Sequence, residues 1–346
     1  MKKLLGSLYL LTQGTYVSRE RECLMVSADG KKRKVPVLMI NNVLCFGNIN
    51  INPFAMGLCC EKGICISFFT EHGRFLAQVH GKTSGNVVLR MEQYRRHNEP
   101  ECSAEISATI VAGKILNSRN NLRRLLSDHS DKIGAEAAQK VDQVRIMLKQ
   151  NAAAVLNSNH TTDIIRGFEG ISSKLYFSVF EHMILNRQNE FSFDGRNRRP
   201  PKDRVNALLS FVYAIVLNDV RSALEGVGLD PAVGFLHRLR PGRPSLALDI
   251  MEEFRASIAD RLVLSLINRC QVDPADFEEA TGGTVLLNEN GRKSILEAYS
   301  KKKNEEITHP YLKEKLQLGL VYHAQARIFA RFLRRDLDSY PPFIPV

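Results

Sequence analysis

No CxxC pair occurs among the seven cysteines of this chain, and their number is odd. Both facts argue against a zinc ribbon or finger, which needs paired thiolates at close spacing. Cys23, Cys45, Cys59, Cys60, Cys65, Cys102 and Cys270 mostly stand beside Val, Leu, Ile or Phe. There a free thiol acts as a small core residue, and the pattern fits a reducing cytoplasm. No uninterrupted apolar run reaches the roughly 20 residues a bilayer needs. The longest, Val205 to Leu217, is broken by Asn206 and Ser210 and reads as a buried helix. The apolar stretch at the N-terminus is short, is broken by Gly6 and Ser7, and precedes no small-residue cleavage site. It reads as a strand rather than a signal peptide, and no membrane protein is implied. There is no internal repeat and no low-complexity tract. With 44% apolar and 25% charged residues, the composition is that of a folded globular chain, not a disordered, collagen-like or coiled-coil one.

What is present is positive charge. Lys plus Arg number 48 against 37 acids, a net of +11 over 346 residues. The surplus is uneven: residues 1–98 hold 14 basic and 6 acidic side chains. Such a balance points to a polyanion, nucleic acid or an anionic membrane, with an ordinary basic enzyme as the equal alternative. The length suggests about two domains.

The chain changes character near residue 100. Up to there, short runs rich in Val, Ile, Leu, Phe and Thr alternate with turn residues. Ser7–Leu11, Glu22–Val26, Lys34–Ile40, Val43–Phe46, Ile64–Phe69, Phe75–His80 and Val87–Met91 read as strands of antiparallel sheet. The breaks include Ala28-Asp29-Gly30 and Ser84-Gly85-Asn86, and Lys31-Lys32-Arg33-Lys34 reads as a solvated hairpin tip. From about residue 103 the apolar spacing becomes helical, over Ala104–Asn117, Gly134–Gln150, Asp163–Arg187, Asp203–Gly226 and Pro244–Asn268 among others. Phe277 to Asn288 reads as a short hairpin among these helices. The expected fold class is α+β: an N-terminal antiparallel β-sheet domain over 1–98 and a larger all-α domain over 103–346.

Three helical-domain segments concentrate chemistry. In Arg166–Phe177, Ile164, Phe168, Ile171, Leu175 and Val179 give an apolar stripe, with Glu169 at its edge. Gly167 and Gly170 each cost about 1 kcal/mol inside a helix, which suggests close backbone approach or a ligand. In Asp194–Asn206, Arg196, Arg198 and Arg199 lie in a Gly/Pro loop suited to phosphate contacts, and Asp203 suits a helix N-cap. In Gly234–Arg255, a helix begins near Pro244 and puts Asp249, Glu252 and Glu253 at i, i+3 and i+4. Like charges so close repel, so a shared cation is a natural remedy. His237 precedes that helix among Arg238, Arg240 and Arg243. One imidazole with carboxylates suits Mg²⁺ or Mn²⁺. Spacing alone leaves structural roles open for each of these residues.

The strings GFEGISSKLYF, FSFDGRNRRPPKDRVNALLSFVYAIV and VGFLHRLRPGRPSLALDIMEEFR, with GNVVLRMEQYRR and QARIFARFLRRDLDSYPPF, resemble the CRISPR-associated adaptation integrase (Cas-one) family from end to end. LHRLRPGRPSLALDIMEEFR and the YPPF tail are most similar to its subtype I-C branch. The resemblance implies a homodimer formed largely through the β domains, and two such dimers bridged by a dimer of a small Cas-two partner into a heterohexamer. It implies a metal site of Glu169, His237 and Glu252, holding Mg²⁺ or Mn²⁺, with Asp249 as a further catalytic acid close by. It implies an endonuclease and integrase of CRISPR spacer acquisition, joining 3′-hydroxyl ends of short double-stranded DNA into the repeat array by transesterification. Arg196, Arg198, Arg199, Arg238, Arg240 and Arg243 would hold DNA phosphates. Two other classes stand beside it, a DNA-binding scaffold without catalysis and a metallonuclease of DNA repair.

Overall fold

The computed structural model describes residues 6–79, 81, 87–156, 160–197, 200–280 and 282–345. The first strands are β1 (Gly6–Leu10), β2 (Tyr16–Glu20), β3 (Cys23–Ala28), β4 (Lys31–Pro36), β5 (Ile40–Phe46) and β6 (Asn50–Ile51). Helix α1 (Pro53–Glu61) follows, then β7 (Cys65–Phe69) and β8 (Phe75–Val79). They build two four-stranded sheets, in the orders β1-β5-β7-β8 and β4-β3-β2-β6. The β2-β3-β4 and β7-β8 pairs are antiparallel as expected, but β1-β5-β7 and β2-β6 pair in parallel. Parallel pairing is possible because α1 and intervening strands supply the crossovers that a two-residue turn cannot.

Asp29 and Gly30 both take positive φ, 49° and 70°, the backbone of a tight hairpin turn. Lys31–Lys34 therefore lies in the exposed edge strand β4 rather than at the tip. A lysine-rich edge resists strand pairing with other chains. Asn52 caps α1 by accepting from the Ala55 N–H at 2.8 Å. This Asn-Pro helix start was missed in a region read as strands.

Strands β5 and β7 of the first sheet are buried on both faces, with successive side chains pointing to opposite sides. Val43, Cys45 and Ile66 pack toward the second sheet, together with Leu58 of α1. Leu44, Phe46 and Phe69 point the other way, into the core of the helical region. Burial pushes the Cys45 and Cys59 thiols up to about 12, with neighbouring thiols adding to it. Inert core thiols are the result.

The helical region contains α2 (Val87–His97), α3 (Pro100–Ile133), α4 (Ala135–Leu156), α5 (Thr162–Phe177), α6 (Arg204–Val227), α7 (Ser245–Phe254) and α8 (Arg261–Asn268). A single π-helical turn, Arg255–Asp260, joins α7 to α8. The expected hairpin is present as β9 (Phe277–Ala280) and β10 (Thr284–Leu287). Then come α9 (Glu289–Lys303), β11 (Glu306–Thr308), β12 (Lys315–Gln317) and α10 (Leu318–Leu333). Val87–Met91 is helix, not strand: Leu89, Gln93 and Arg96 form its buried face at i, i+4 and i+7. His80 and the Ser84-Gly85-Asn86 turn lie outside the described residues.

Helix α6 is the spine. Asp203 caps it by accepting from the Asn206 N–H at 2.7 Å, and Gly228 closes it in the left-handed conformation. It is long and apolar enough to cross a membrane, but its most apolar stretch is 72% buried inside the fold. Phe211 of α6 meets the Phe46–Phe69 stack, whose centroids are 5.0 Å apart. Asn42 donates to Asp219 at 3.0 Å and Ser67 to Asn218 at 2.7 Å. The buried Lys303 ammonium donates to the same Asp219 at 2.9 Å. Sheet and helices are thus locked by buried polar contacts at the edge of the helical core.

Candidate active site

Three helices and one loop bring the chemistry together. Helix α5 does not expose the face that its pattern suggests. Ile171 is 60% exposed and Ile164 is exposed too, while Ile165, Ser172 and Tyr176 are buried. The stripe is turned, so Glu169 sits on the inward face, one turn from Ile165. No atom stands within 4 Å of a Cβ built at Gly167 or Gly170. The close backbone approach inferred there is absent, and those glycines face open space.

Helix α3 supplies the cation. Its inner stripe is polar, with Ser107, Lys114, Asn117, Ser118 and Asn121 all buried. The Lys114 ammonium bridges two carboxylates, bonding Glu169 Oε1 and lying 2.8 Å from Glu252 Oε2. Ser173, one turn along α5, donates to Glu169 Oε1 at 3.0 Å. Arg255 Nε lies 3.0 Å from Glu252 Oε2 on the other side. Glu252 is 3% exposed, and burial alone would raise its carboxyl. Arg255, Lys114 and His237 reverse this and hold it at about 2. Burial also opposes ionisation of Glu169, but Lys114 outweighs it and lowers that carboxyl.

Helix α7 is buried almost all round, so its three acids cannot share one cation. They diverge instead, which corrects the expectation of a shared site. Asp249, fully buried, turns back to the preceding loop. Its Oδ2 accepts the N–H groups of Phe235 and Leu236 at 2.6 and 3.0 Å. Its Oδ1 accepts the His237 N–H at 2.9 Å and lies 2.7 Å from His237 Nδ1. An oxygen ringed by donors acts as acceptor, so Nδ1 donates its proton to Asp249. Nε2 points inward, 3.9 Å from Glu252 Oε1. Glu253 turns to the C-terminal segment, accepting from Tyr340 Oη at 2.6 Å, Gln325 Nε2 at 2.9 Å and the Phe343 N–H at 2.7 Å. Burial raises its carboxyl to about 7.

The histidine loop is pinned from several sides. Arg166 donates to Leu236 O at 2.6 Å, and His97 Nδ1 lies 2.6 Å from Gly234 O. Gln93 donates to the carbonyls of Asp230 and Val233 at 2.8 and 2.7 Å. Gly234 is required at its place: a Cβ there would stand 2.5 Å from Asp249 Oδ2 and 2.7 Å from Leu246 N.

The structure therefore gathers Glu169 and Glu252 around one ammonium, with His237 Nε2 facing Glu252 and Asp249 orienting the imidazole from behind. Among the described residues no three His, Cys, Asp or Glu side chains stand ready as a ligand shell. Lys114 holds the centre. The donor types still suit a hard divalent cation, because two carboxylates meet where a positive charge already rests and an imidazole nitrogen faces one of them. Glu252 Oε2 faces two cations, Lys114 and Arg255, and its Oε1 faces His237 Nε2.

The arginines separate. Arg196 donates to Asn206 Oδ1 at 2.6 Å and Ser210 Oγ at 3.1 Å, and stacks over the Tyr213 ring at 5.4 Å. Its guanidinium is engaged by side chains of α6, which speaks for a structural role rather than a phosphate contact. Arg198 and Arg199 lie outside the described residues. Arg238, exposed, pairs with Asp163 at 2.9 Å, and Arg240 is exposed on the same loop. Arg243 is half-buried there. Lys114, Arg255, Arg166 and Gln93 were not found from the sequence. Lys114 could have been: a lysine amid Ile110-Val111-Ala112-Gly113 and Ile115, on a polar helical stripe, needs a buried partner.

Comparison with known proteins agrees with this architecture. Residues 8–301 match the family model described as CRISPR associated protein Cas1. The chain is 47% identical over 347 residues to the CRISPR-associated endonuclease Cas1 1 of Chlorobaculum tepidum, covering 99% of each chain. It is 34% identical over 343 residues to the CRISPR-associated endonuclease Cas1 3 of Thermus thermophilus, covering 98% of this chain and 97% of that one. Among solved structures, a Cas1 protein from Thermotoga maritima superposes with a TM-score of 0.81 at 22% identity, over 97% of this chain and 99% of that one. A casposase bound to integration product superposes with a TM-score of 0.81 at 21% identity, over 97% and 93%. At such identities the structures speak for the fold, and the sequence match decides the family. This chain belongs to the CRISPR-associated protein Cas1 family.

Proposed function

We propose that this protein is a metal-dependent DNA endonuclease and integrase of CRISPR spacer acquisition, acting at the Glu169–His237–Glu252 cluster. The observation that carries it is the pairing of Glu169 and Glu252 through the Lys114 ammonium, with His237 Nε2 facing Glu252. Glu169, His237 through Nε2 and Glu252 would hold Mg²⁺ or Mn²⁺. When bound, the cation supplies Lewis-acid polarisation of a phosphoryl oxygen. Asp249 holds the imidazole with Nε2 turned inward. Arg255 offsets the negative charge of the acids and of an approaching phosphate. No protein nucleophile is required. The 3′-hydroxyl of a short DNA duplex attacks a phosphodiester of the repeat; a new P–O bond forms as the repeat's own bond breaks, releasing a 3′-hydroxyl. With water as attacking group the same site cuts DNA.

Arg238, Arg240 and Arg243, on the histidine loop, and Arg198 and Arg199 would hold phosphates, positioning DNA without reading its sequence. A homodimer through the sheet region is supported by exposed apolar side chains there, with Phe54 74% exposed and Leu38 and Met39 also open. A small Cas-two dimer bridging two such dimers, a cytoplasmic location and the subtype I-C assignment complete the proposal. A chain of a solved complex named Cas6-RT-Cas1–Cas2 superposes over 100% of this chain and 37% of that one, with a TM-score of 0.82 at 20% identity, a likeness of fold. The test is an integration assay with a labelled 3′-hydroxyl duplex and a repeat plasmid, with and without the small partner. Partner-dependent, divalent-dependent joining is expected. Absence of joining and of cutting under all divalent conditions would leave only a scaffold.

A further inference from the structure

The Tyr340–Phe343 segment is seated between α3 and α7, beside the acid cluster. Those helices carry Lys114 and Glu252, and α3 packs against both α7 and α5, which carries Glu169. Tyr340 and Phe343 are buried. Glu253, next to Glu252 in the chain and fully buried, receives the segment. Its Oε1 accepts from Tyr340 Oη at 2.6 Å, and its Oε2 accepts from the Phe343 N–H at 2.7 Å. Gln325 of α10 closes the ring, donating to Glu253 Oε2 at 2.9 Å and to Tyr340 Oη at 2.8 Å. On the other side Asn117 of α3, one turn past Lys114, donates to Glu253 O and to Phe343 O, both at 2.8 Å. Helix α3, helix α7 and the segment thus meet at one amide and one carboxylate.

The contact is close as well as bonded. A Cβ at Gly113, the residue before Lys114, would stand 2.8 Å from Pro342 Cβ and 3.2 Å from Pro342 Cγ. Glycine inside a helix is unfavourable on its own; here its missing side chain lets Pro342 lie against α3. Pro341 and Pro342 have fixed φ and restrict the residues before them, so the segment is stiff. The Phe343 ring lies 5.5 Å from that of Phe254 on α7. Apolar contacts alone would pack the segment without desolvating a carboxylate. What the polar ring adds is one defined geometry, because its directional bonds admit few other arrangements.

We propose that Tyr340–Phe343 is a wedge that sets the separation of α3 from α7, with Glu253 as the positioning residue that holds it. Through that separation it fixes where Glu252 stands relative to Lys114 and Glu169. Glu253 turns away from the cluster and acts through Glu252, its neighbour on α7. The inference rests on the function proposed above and deepens it. Small hard cations demand near-ideal placement of their oxygen ligands, so a shifted α7 weakens cation binding in a protein that is still folded.

The test measures Mn²⁺ binding by calorimetry and DNA cleavage on the full chain, for Glu253→Ala, Gly113→Ala and Glu253→Gln. Glu253→Ala removes the clasp, and Gly113→Ala pushes a methyl group against Pro342. Tyr340→Phe, which deletes one hydroxyl, replaces Glu253→Ala should that protein fail to fold. The disrupting variants are expected to bind Mn²⁺ about 10- to 100-fold more weakly, as when groups that orient metal ligands are removed. The rate constant kcat is expected to fall with KM for DNA unchanged. Glu253→Gln keeps an accepting oxygen for Gln325 and Phe343 and offers a donor to Tyr340 Oη, so most of the affinity is expected to return. Ile66→Val, in the separate apolar cluster between the sheets, controls for lost stability. Its melting temperature is expected to fall with Mn²⁺ affinity unchanged. A folded Glu253→Ala protein with unchanged Mn²⁺ affinity and kcat overturns the proposal. So does Glu253→Gln binding Mn²⁺ no better than Glu253→Ala, or an equal loss of affinity in Ile66→Val, because lost stability then explains the effect. Failure of the unchanged protein to bind Mn²⁺ or to cut DNA overturns the proposed function itself, a different result from a variant that matches the unchanged protein.

Discussion

Asp249 Oδ1 accepts the backbone N–H of His237 at 2.9 Å and lies 2.7 Å from Nδ1 of the same residue. One carboxylate thus fixes both the main chain and the ring of the histidine. Asp249→Asn would replace one accepting oxygen by an NH₂ group, which cannot accept from the N–H donors facing it. We expect a destabilisation of about 2 kcal/mol, as for buried donors left unpaired. Metal affinity or activity is expected to fall about 10- to 100-fold through the misplaced imidazole. Chemical denaturation and a cleavage assay measure the two effects; His237→Ala, by contrast, should lose activity with a smaller change in stability.

Lys114 stands where a divalent cation would bind, so it competes with that cation. Lys114→Met leaves two carboxylates facing each other with Arg255 alone to offset them. In EDTA the variant is expected to be less stable by about 3 kcal/mol, the cost of breaking a buried pair. Its affinity for Mn²⁺ by calorimetry should nevertheless rise. Weaker binding in a folded variant would show that the lysine supports the metal site rather than substituting for it.

Much of this was legible in the sequence, for identifiable reasons. Asp203 as a cap and the Phe277–Asn288 hairpin follow from local chemistry, which tertiary packing did not override. Glu169, His237 and Glu252 were named through their surrounding strings, and the fold brings them together. The Lys114–Glu169 pair was not legible, because 55 residues separate its members and only helix packing unites them. The three-way divergence of Asp249, Glu252 and Glu253 was hidden for the same reason. Spacing says which residues share a turn, while burial on every side decides where each one points. Val87–Met91 misled because a short apolar run carries no clear period. The Ile164–Ile171 stripe misled because α5 keeps apolar side chains on its open face.

Gly234 is the tight point of the histidine loop. Gly234→Ala would push a methyl group to 2.5 Å from Asp249 Oδ2 and 2.6 Å from the Ser245 carbonyl carbon. Neither partner is a flexible end that can swing away. A loss of at least about 1 kcal/mol is expected, as for overpacking, with loss of cleavage. Thermal melting and a nuclease assay check this.

Asp260, behind Arg255, gives a pH signature. Burial raises its carboxyl to about 6 from 3.8, although Tyr213 Oη, donating at 2.6 Å, Tyr176 and Arg255 all pull it down. The folded state therefore binds this proton more tightly than the unfolded chain. The resulting stability is complete below about pH 4 and is lost as pH rises through about 6. It amounts to about 3 kcal/mol. Asp260→Asn should flatten that part of the curve of unfolding free energy against pH. An unchanged difference between pH 4 and 7 would contradict it.

The most direct test of the active-site assignment is strand joining by Glu169→Ala, His237→Ala and Glu252→Ala proteins in Mn²⁺, each first shown to be folded and dimeric. A labelled 3′-hydroxyl fragment and a repeat plasmid are the substrates. Each variant is expected to lose joining while the unchanged protein retains it. Joining by all three at the unchanged rate would mean that the chemistry lies elsewhere in the molecule.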